Sequence, residues 1–248
     1  MPKKFTIGLL STIDNPLLPF FIKEIFKRNF SKILVICDLK KTSEKDMKIW
    51  SQRTGGYFEK KFDDDTETFV SLKYLKTPFY FVKNHNSNPT KLLIKNLSVD
   101  VLLNAGTPRK LSKLILNTTP YGVINIHPGI LPQYRGCSAV EWSIYNNDRI
   151  GNTAHFMTEN YDDGPIIIKE KYNFSKENNY SSIRVKTFEK GCVLAAKALN
   201  IVKERKMNLK NAILQDETQA KFWKPIPDHK FKRVINIIKN KTYLLKKK

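Results

Sequence analysis

Apolar residues along this chain gather in short, β-branched runs, and the stretches between them carry apolar positions at helical spacing. Residues 5–10 (FTIGLL) and 33–37 (ILVIC) read as buried strands. Between them Leu18, Phe21, Ile22, Ile25 and Phe26 recur at helical spacing, so residues 17–30 read as a helix. Asp14 or Asn15 is available to cap it, and Pro16 is tolerated in a first turn. Residues 44–54 read as a second helix, stopped by Gly55 and Gly56. Further strands are expected at 79–82, 101–103, 123–126, 153–157 and 166–170. Further helices are expected at 92–97, 111–116, 136–146 and 183–203. The alternation of strand and helix predicts an α/β fold, a Rossmann-like, mostly parallel sheet with flanking helices. After Met207 the composition changes. Residues 222–227 (FWKPIP) should be extended, and residues 230–248 should pack an apolar face (Val234, Ile235, Ile237, Ile238, Leu244, Leu245) on the body. The expected division is a domain at 1–206 and a small C-terminal extension at 207–248.

Three polar side chains stand out against the apolar ground: Asn125, His127 and Asp162. Side chains alternate faces along a strand, so Asn125 and His127 project from one face at the end of the fifth strand. Pro128 favours extended geometry at His127, and Gly129 lets the chain leave sharply. Open α/β sheets place their ligands at such strand tips. If Asp162 converges on this pair, an amide is available to donate to a developing oxyanion. A carboxylate would then orient the imidazole beside it. A strand-end Asn and His that merely cap backbone groups fit the pattern equally well. No serine, cysteine or threonine sits in a nucleophile elbow, and Cys137 has no dedicated base. One His, one Asn and one Asp make a poor zinc shell, so no metal is expected. Direct attack of a substrate nucleophile on a carbonyl is the chemistry that remains.

Two other histidines are read as structural. His85, in a polar loop, is expected to be exposed, and His155, within a strand, to be a core or sheet-face residue. The Asp63-Asp64-Asp65 cluster lacks ligand spacing and reads as a solvated loop. No G-x-G-x-x-G follows the first strand, so a dinucleotide site of that type is unsupported.

The 248 residues, 41% hydrophobic, suffice for one large domain plus an appendage. Three scattered cysteines suit a reducing compartment without a disulfide framework. The apolar run near the start is about six residues long and soon meets Asp14, so no leader is expected. No stretch approaches the roughly 18 apolar residues of a membrane span, and a cytoplasmic protein is expected. The net charge is +21, from 44 Lys+Arg against 23 Asp+Glu. The lysines are dispersed, so the excess reads as a solvated surface rather than a nucleic-acid footprint.

At Asn125-Ile126-His127-Pro128-Gly129-Ile130-Leu131-Pro132 and Tyr161-Asp162-Asp163-Gly164-Pro165 the sequence resembles the folate-dependent N-formyltransferases. The two motifs lie in the family's order and at its spacing, with Asp162 35 positions after His127. The resemblance implies the formyltransferase fold, with Asn125, His127 and Asp162 as the catalytic trio. N10-formyltetrahydrofolate would be the formyl donor. Asn125 and His127 would polarise the formyl oxygen, and Asp162 would hold His127 protonated. Arg109, Gly129, Ile130, Leu131, Pro132 and Asp162 would line the folate pocket. So would the loop at 105–109, which matches a family loop flanking the pterin. The loop after the first strand departs from the glycine-rich phosphate loop of the glycinamide ribonucleotide enzymes. Only about 40 residues follow the last long helix, too few for the further domain of the methionyl-tRNA enzymes. Gly129 and Tyr134-Arg135-Gly136 resemble the sugar-nucleotide branch. Its acceptor would be a nucleotide-linked amino sugar, used in surface polysaccharide biosynthesis and bound in part by Tyr134 and Arg135. The branch also implies a homodimer, with no nucleic-acid partner. The alternative is a methionyl-tRNA formyltransferase lacking the usual C-terminal domain.

Overall fold

The computed structural model describes residues 4–59, 77–174 and 179–243. The acidic cluster at 63–65 and the last two apolar tail residues, Leu244 and Leu245, lie outside them. The elements are β1 (Ile7–Thr12), α1 (Leu18–Phe26), β2 (Ile33–Asp38), α2 (Glu44–Thr54), β3 (Phe79–Val82), α3 (Asn88–Asn96), β4 (Val101–Asn104), α4 (Lys113–Leu116) and β5 (Val123–His127). There follow β6 (Arg135–Gly136), α5 (Ala139–Tyr145), β7 (Gly151–Phe156), β8 (Ile166–Lys171), α6 (Tyr180–Arg205), a 3-10 turn at Glu217–Gln219, β9 (Phe222–Trp223) and α7 (Asp228–Lys239).

Seven strands form one sheet in the order β3-β2-β1-β4-β5-β7-β8. The first five run parallel, while β7 and β8 are antiparallel to their neighbours. Both faces are covered, which is why β1 and β2 are buried at every position. Alternation along the strands separates two cores. Ile7, Leu9, Ile33, Val35, Val101 and Leu103 pack on one face with α1 and α6. Leu10, Leu34, Ile36 and Leu102 pack on the other with Ile94 of α3 and Ile115 of α4.

Several boundaries move for identifiable reasons. Helix α2 keeps its expected span because Ser43 caps one end and Gly55, at φ 64°, ends the other. Helix α3 starts earlier than expected: Ser87 caps it and accepts the Thr90 N–H, and Pro89 sits in its first turn. Residues 136–138 are not helical. Gly136, at φ 89°, pairs with Trp223 instead, forming the two-stranded parallel sheet β6-β9. Helix α7 packs Val234 and Ile238 against Val140 and Ile144 of α5. Among the described residues no helix is long and apolar enough to cross a membrane.

Candidate active site

Strand β5 delivers Asn125 and His127 to the C-terminal edge of the sheet, near its centre. Antiparallel pairing places His155 of β7 directly opposite Asn125. Asp162 lies on the loop between β7 and β8, at φ 59°, a left-handed conformation that a short polar residue tolerates. One carboxylate oxygen of Asp162 is 3.3 Å from His127 Nδ1 and 3.7 Å from His155 Nε2. The other accepts the Gly136 N–H at 2.8 Å.

His127 is 4% exposed, and its Nε2 donates to the Tyr134 carbonyl at 2.5 Å. Both ring nitrogens therefore face oxygen atoms. Gly129 makes room for this contact. A β-carbon at residue 129 would stand 2.8 Å from His127 Nε2 and 2.9 Å from the Tyr134 oxygen. Burial opposes the charge on Asp162, but the bond and charge of His127, the Gly136 N–H and the charge of His155 together hold its pKa at about 2. Burial outweighs the nearby Asp162 charge at His155 and pushes that ring down to about 4, so it is neutral at ordinary pH. His155 Nδ1 donates to the Phe156 carbonyl at 2.9 Å, and its Nε2 is 3.1 Å from Asn125 Nδ2.

Two cavities meet at Asn125. One, of about 620 Å³, opens above the tips of β1, β2, β4 and β5 and is walled by Leu17, Phe21, Met47, Trp50, Ile126 and Phe188. Lys40, Lys41, Thr42 and Ser43 also line it. The other, of about 290 Å³, is lined by residues 107–111 together with His155, Met157, Thr158, Asn160, Tyr161 and Asp162. Asn104, Thr107, Pro108 and Asn125 belong to both. His127 lines neither; it lies behind Asp162 and Tyr134.

The site thus gathers Asn125, His127 and Asp162 but departs from expectation elsewhere. Gly129, Ile130, Leu131 and Pro132 line neither cavity. Four of their backbone groups bond within the protein: Thr153 Oγ1 donates to the Gly129 carbonyl and accepts the Leu131 N–H, Tyr134 N–H donates to the Ile130 carbonyl, and Lys221 N–H to that of Pro132. Tyr134 and Arg135 line neither cavity either. The Tyr134 hydroxyl donates to Asp148 at 2.6 Å, and the Arg135 guanidinium is taken up by Gln215 and Glu217. Arg109 lines the smaller cavity, but its guanidinium holds Asp38 through bonds of 2.6 and 3.0 Å. His85 is fully buried rather than exposed. Its backbone N–H donates to Asp38, and its ring bridges Ile36 and Thr107. His155 is a buried sheet-face residue, as its place in a strand implies, yet it also joins the site. The signal was available, since an antiparallel neighbour of the Asn125 strand would put it there. Asp163 turns away from His127 and bonds Thr158 and Asn160.

Solved structures share this fold at low identity. Glycinamide ribonucleotide transformylase 1 from Symbiobacterium toebii is 16% identical, with a TM-score of 0.63 over 87% of this chain and 95% of that one. A sugar N-formyltransferase from Shewanella is 16% identical, with a TM-score of 0.59 over 89% of this chain and 77% of that one. By sequence, methionyl-tRNA formyltransferase of Clostridium tetani is 33% identical over 108 residues, which is 43% of this chain and 35% of that protein. The chain spans less than half the length of the curated relatives it matches. The sequence model described as formyl transferase matches residues 26–217, through the strands and helices that carry the site, and on that match the chain belongs to the formyl transferase family.

Proposed function

We propose that this protein transfers a formyl group from N10-formyltetrahydrofolate to the amine of a nucleotide-linked amino sugar, in surface polysaccharide biosynthesis. The observation that carries the reading is the junction of the two cavities at Asn125. A donor in one and an acceptor in the other can bring a carbonyl carbon and an amine within reach of a single amide. The smaller cavity suits the flat, bicyclic pterin end of the folate, with the remainder of the donor lying outside it. The larger cavity has the size of a small-molecule site. Its lysines suit a diphosphate, and Trp50 and Phe188 offer aromatic faces to a base or sugar.

In the reaction the amine nitrogen attacks the formyl carbon, the bond from that carbon to N10 breaks, and N10 takes up a proton while the amine loses one. Asn125 donates an N–H to the oxygen as negative charge builds on it. His127 does not line the cavities, so polarisation falls on Asn125, and His127 acts through Asp162. Asp162, at about 2, is too weak a base to keep the proton. It stays ionised and orients the incoming amine or a water, through which the proton leaves the amine for N10.

Turnover of a panel of dTDP-, UDP- and GDP-linked amino sugars tests the assignment, and no product from any of them would sink it. The second reading is formylation of methionyl-tRNA, favoured by the names of the curated relatives and by the +21 charge. It requires tRNA binding that weakens steeply with salt; a flat salt response removes it.

A further inference from the structure

We propose that Asn104 is a positioning residue that fixes which end of the Asn125 side chain meets the formyl oxygen. The proposal rests on reading the site as a formyl-transfer centre. The two ends of an asparagine amide are alike in shape and opposite in hydrogen bonding. Only the NH2 end stabilises an oxyanion; the carbonyl end repels it. Asn125 must therefore be held one way round, and its strand position alone does not do so.

The orientation follows from backbone groups at the two ends of a chain of bonds. Asn104 closes β4, and its Oδ1 accepts the N–H groups of Gly106 at 3.2 Å and Thr107 at 2.9 Å. Backbone amides only donate, so the atom facing them is oxygen, and Nδ2 faces Asn125. That Nδ2 donates to Asn125 Oδ1 at 2.9 Å. At the far end, His155 Nδ1 faces the Phe156 carbonyl, which only accepts, so the ring proton is on Nδ1 and Nε2 is bare. Asn125 Nδ2 donates to that bare nitrogen at 3.1 Å. The two ends agree, and they leave the second Nδ2 hydrogen of Asn125 without a partner among the described residues, where the two cavities meet. The turn that fixes Asn104 is itself anchored. Thr107 Oγ1 is 2.7 Å from His85 Nδ1, and His85 Nε2 donates to the Ile36 carbonyl of β2.

Two substitutions separate positioning from simple support of the turn. Aspartate at 104 accepts the Gly106 and Thr107 N–H groups at least as well as asparagine does. Its second oxygen, however, meets Asn125 Oδ1 with no hydrogen between them. Positioning therefore predicts that Asn104→Asp lowers kcat about 100-fold, with the thermal midpoint near wild type. It should also be less active than Asn104→Ala, and should recover as the pH is lowered and the new carboxyl takes up a proton. Support of the turn alone predicts the reverse order, and wild-type kcat in Asn104→Asp overturns the proposal. A substrate-free measurement decides the geometry separately. Nitrogen NMR of the wild type should show His155 as the neutral Nδ1–H tautomer, and an Nε2–H tautomer overturns the assignment. If no amino sugar is formylated, the acceptor reading falls, while the tautomer still decides how Asn125 is held.

Discussion

The two halves of the site are held in different ways. Asn125 and His127 belong to β5, a strand paired on both sides, and take their partners from β4, β7 and the turn at Tyr134. Asp162 belongs to a loop and is held from a distance. Its carboxylate accepts the N–H of Gly136, whose strand pairs with Trp223, and its carbonyl accepts Gln215 Nε2 at 2.9 Å. The sheet presents the amide and imidazole, while segments far along the chain present the carboxylate. Damage to the first half should be chemical, and damage to the second conformational.

The sharpest break in that comparison is Asn125→Ala. Loss of an oxyanion donor should lower kcat by about 10² to 10³, with a smaller loss of stability, about 1 kcal/mol, from the partners that Asn104 and His155 lose. Steady-state kinetics beside a melting curve would check both, and an equal loss of stability would show that the strand side is conformational too. Next in size is the acid dependence carried by Asp162. Its folded pKa lies below the ordinary 3.8, so it adds stability that is present above that value and is lost as pH falls from there to about 2. At about 1.4 kcal/mol per unit the contribution is about 2 kcal/mol. Chemical denaturation at pH 6 and pH 2.5 should therefore show a smaller difference for Asp162→Asn than for the wild type. Gln215→Ala comes third. It frees the Asp162 and Gly164 carbonyls and one face of Arg135, and should cost about 1–2 kcal/mol by urea unfolding. It should also lower turnover about tenfold, although Gln215 lines neither cavity. Tyr161→Ala should change stability least, within about 0.5 kcal/mol, because Tyr161 stands exposed beside Asp162.

The same contrast explains what the amino-acid sequence revealed. Local pattern was sufficient for the strands: the apolar runs at 33–37 and 79–82 lie within β2 and β3, and the i, i+2 spacing of Asn125 and His127 gave their shared face. Local pattern failed where a distant partner decides. Resemblance alone puts Arg135 at a substrate, and its bonds to Gln215 and Glu217, some 80 residues on, have no local signal. Gly136 looked like the start of a helix until β9 claimed it for a sheet. His85 looked exposed because the buried Asp38 that receives its N–H is 47 residues earlier. His155 was set aside as a sheet residue. It is one, but an antiparallel neighbour of Asn125 is also a member of the site.

The pairing of β6 with β9 also sets an order of events in biosynthesis. Domains begin to fold as they emerge from the ribosome, and Asn125, His127 and Asp162 emerge well before Gln215 and Trp223. Until those later residues are free, Gly136 has no partner strand and the Asp162 loop has no clamp. A ribosome stalled between Asp162 and Gln215 would therefore carry every residue of the trio and no assembled centre.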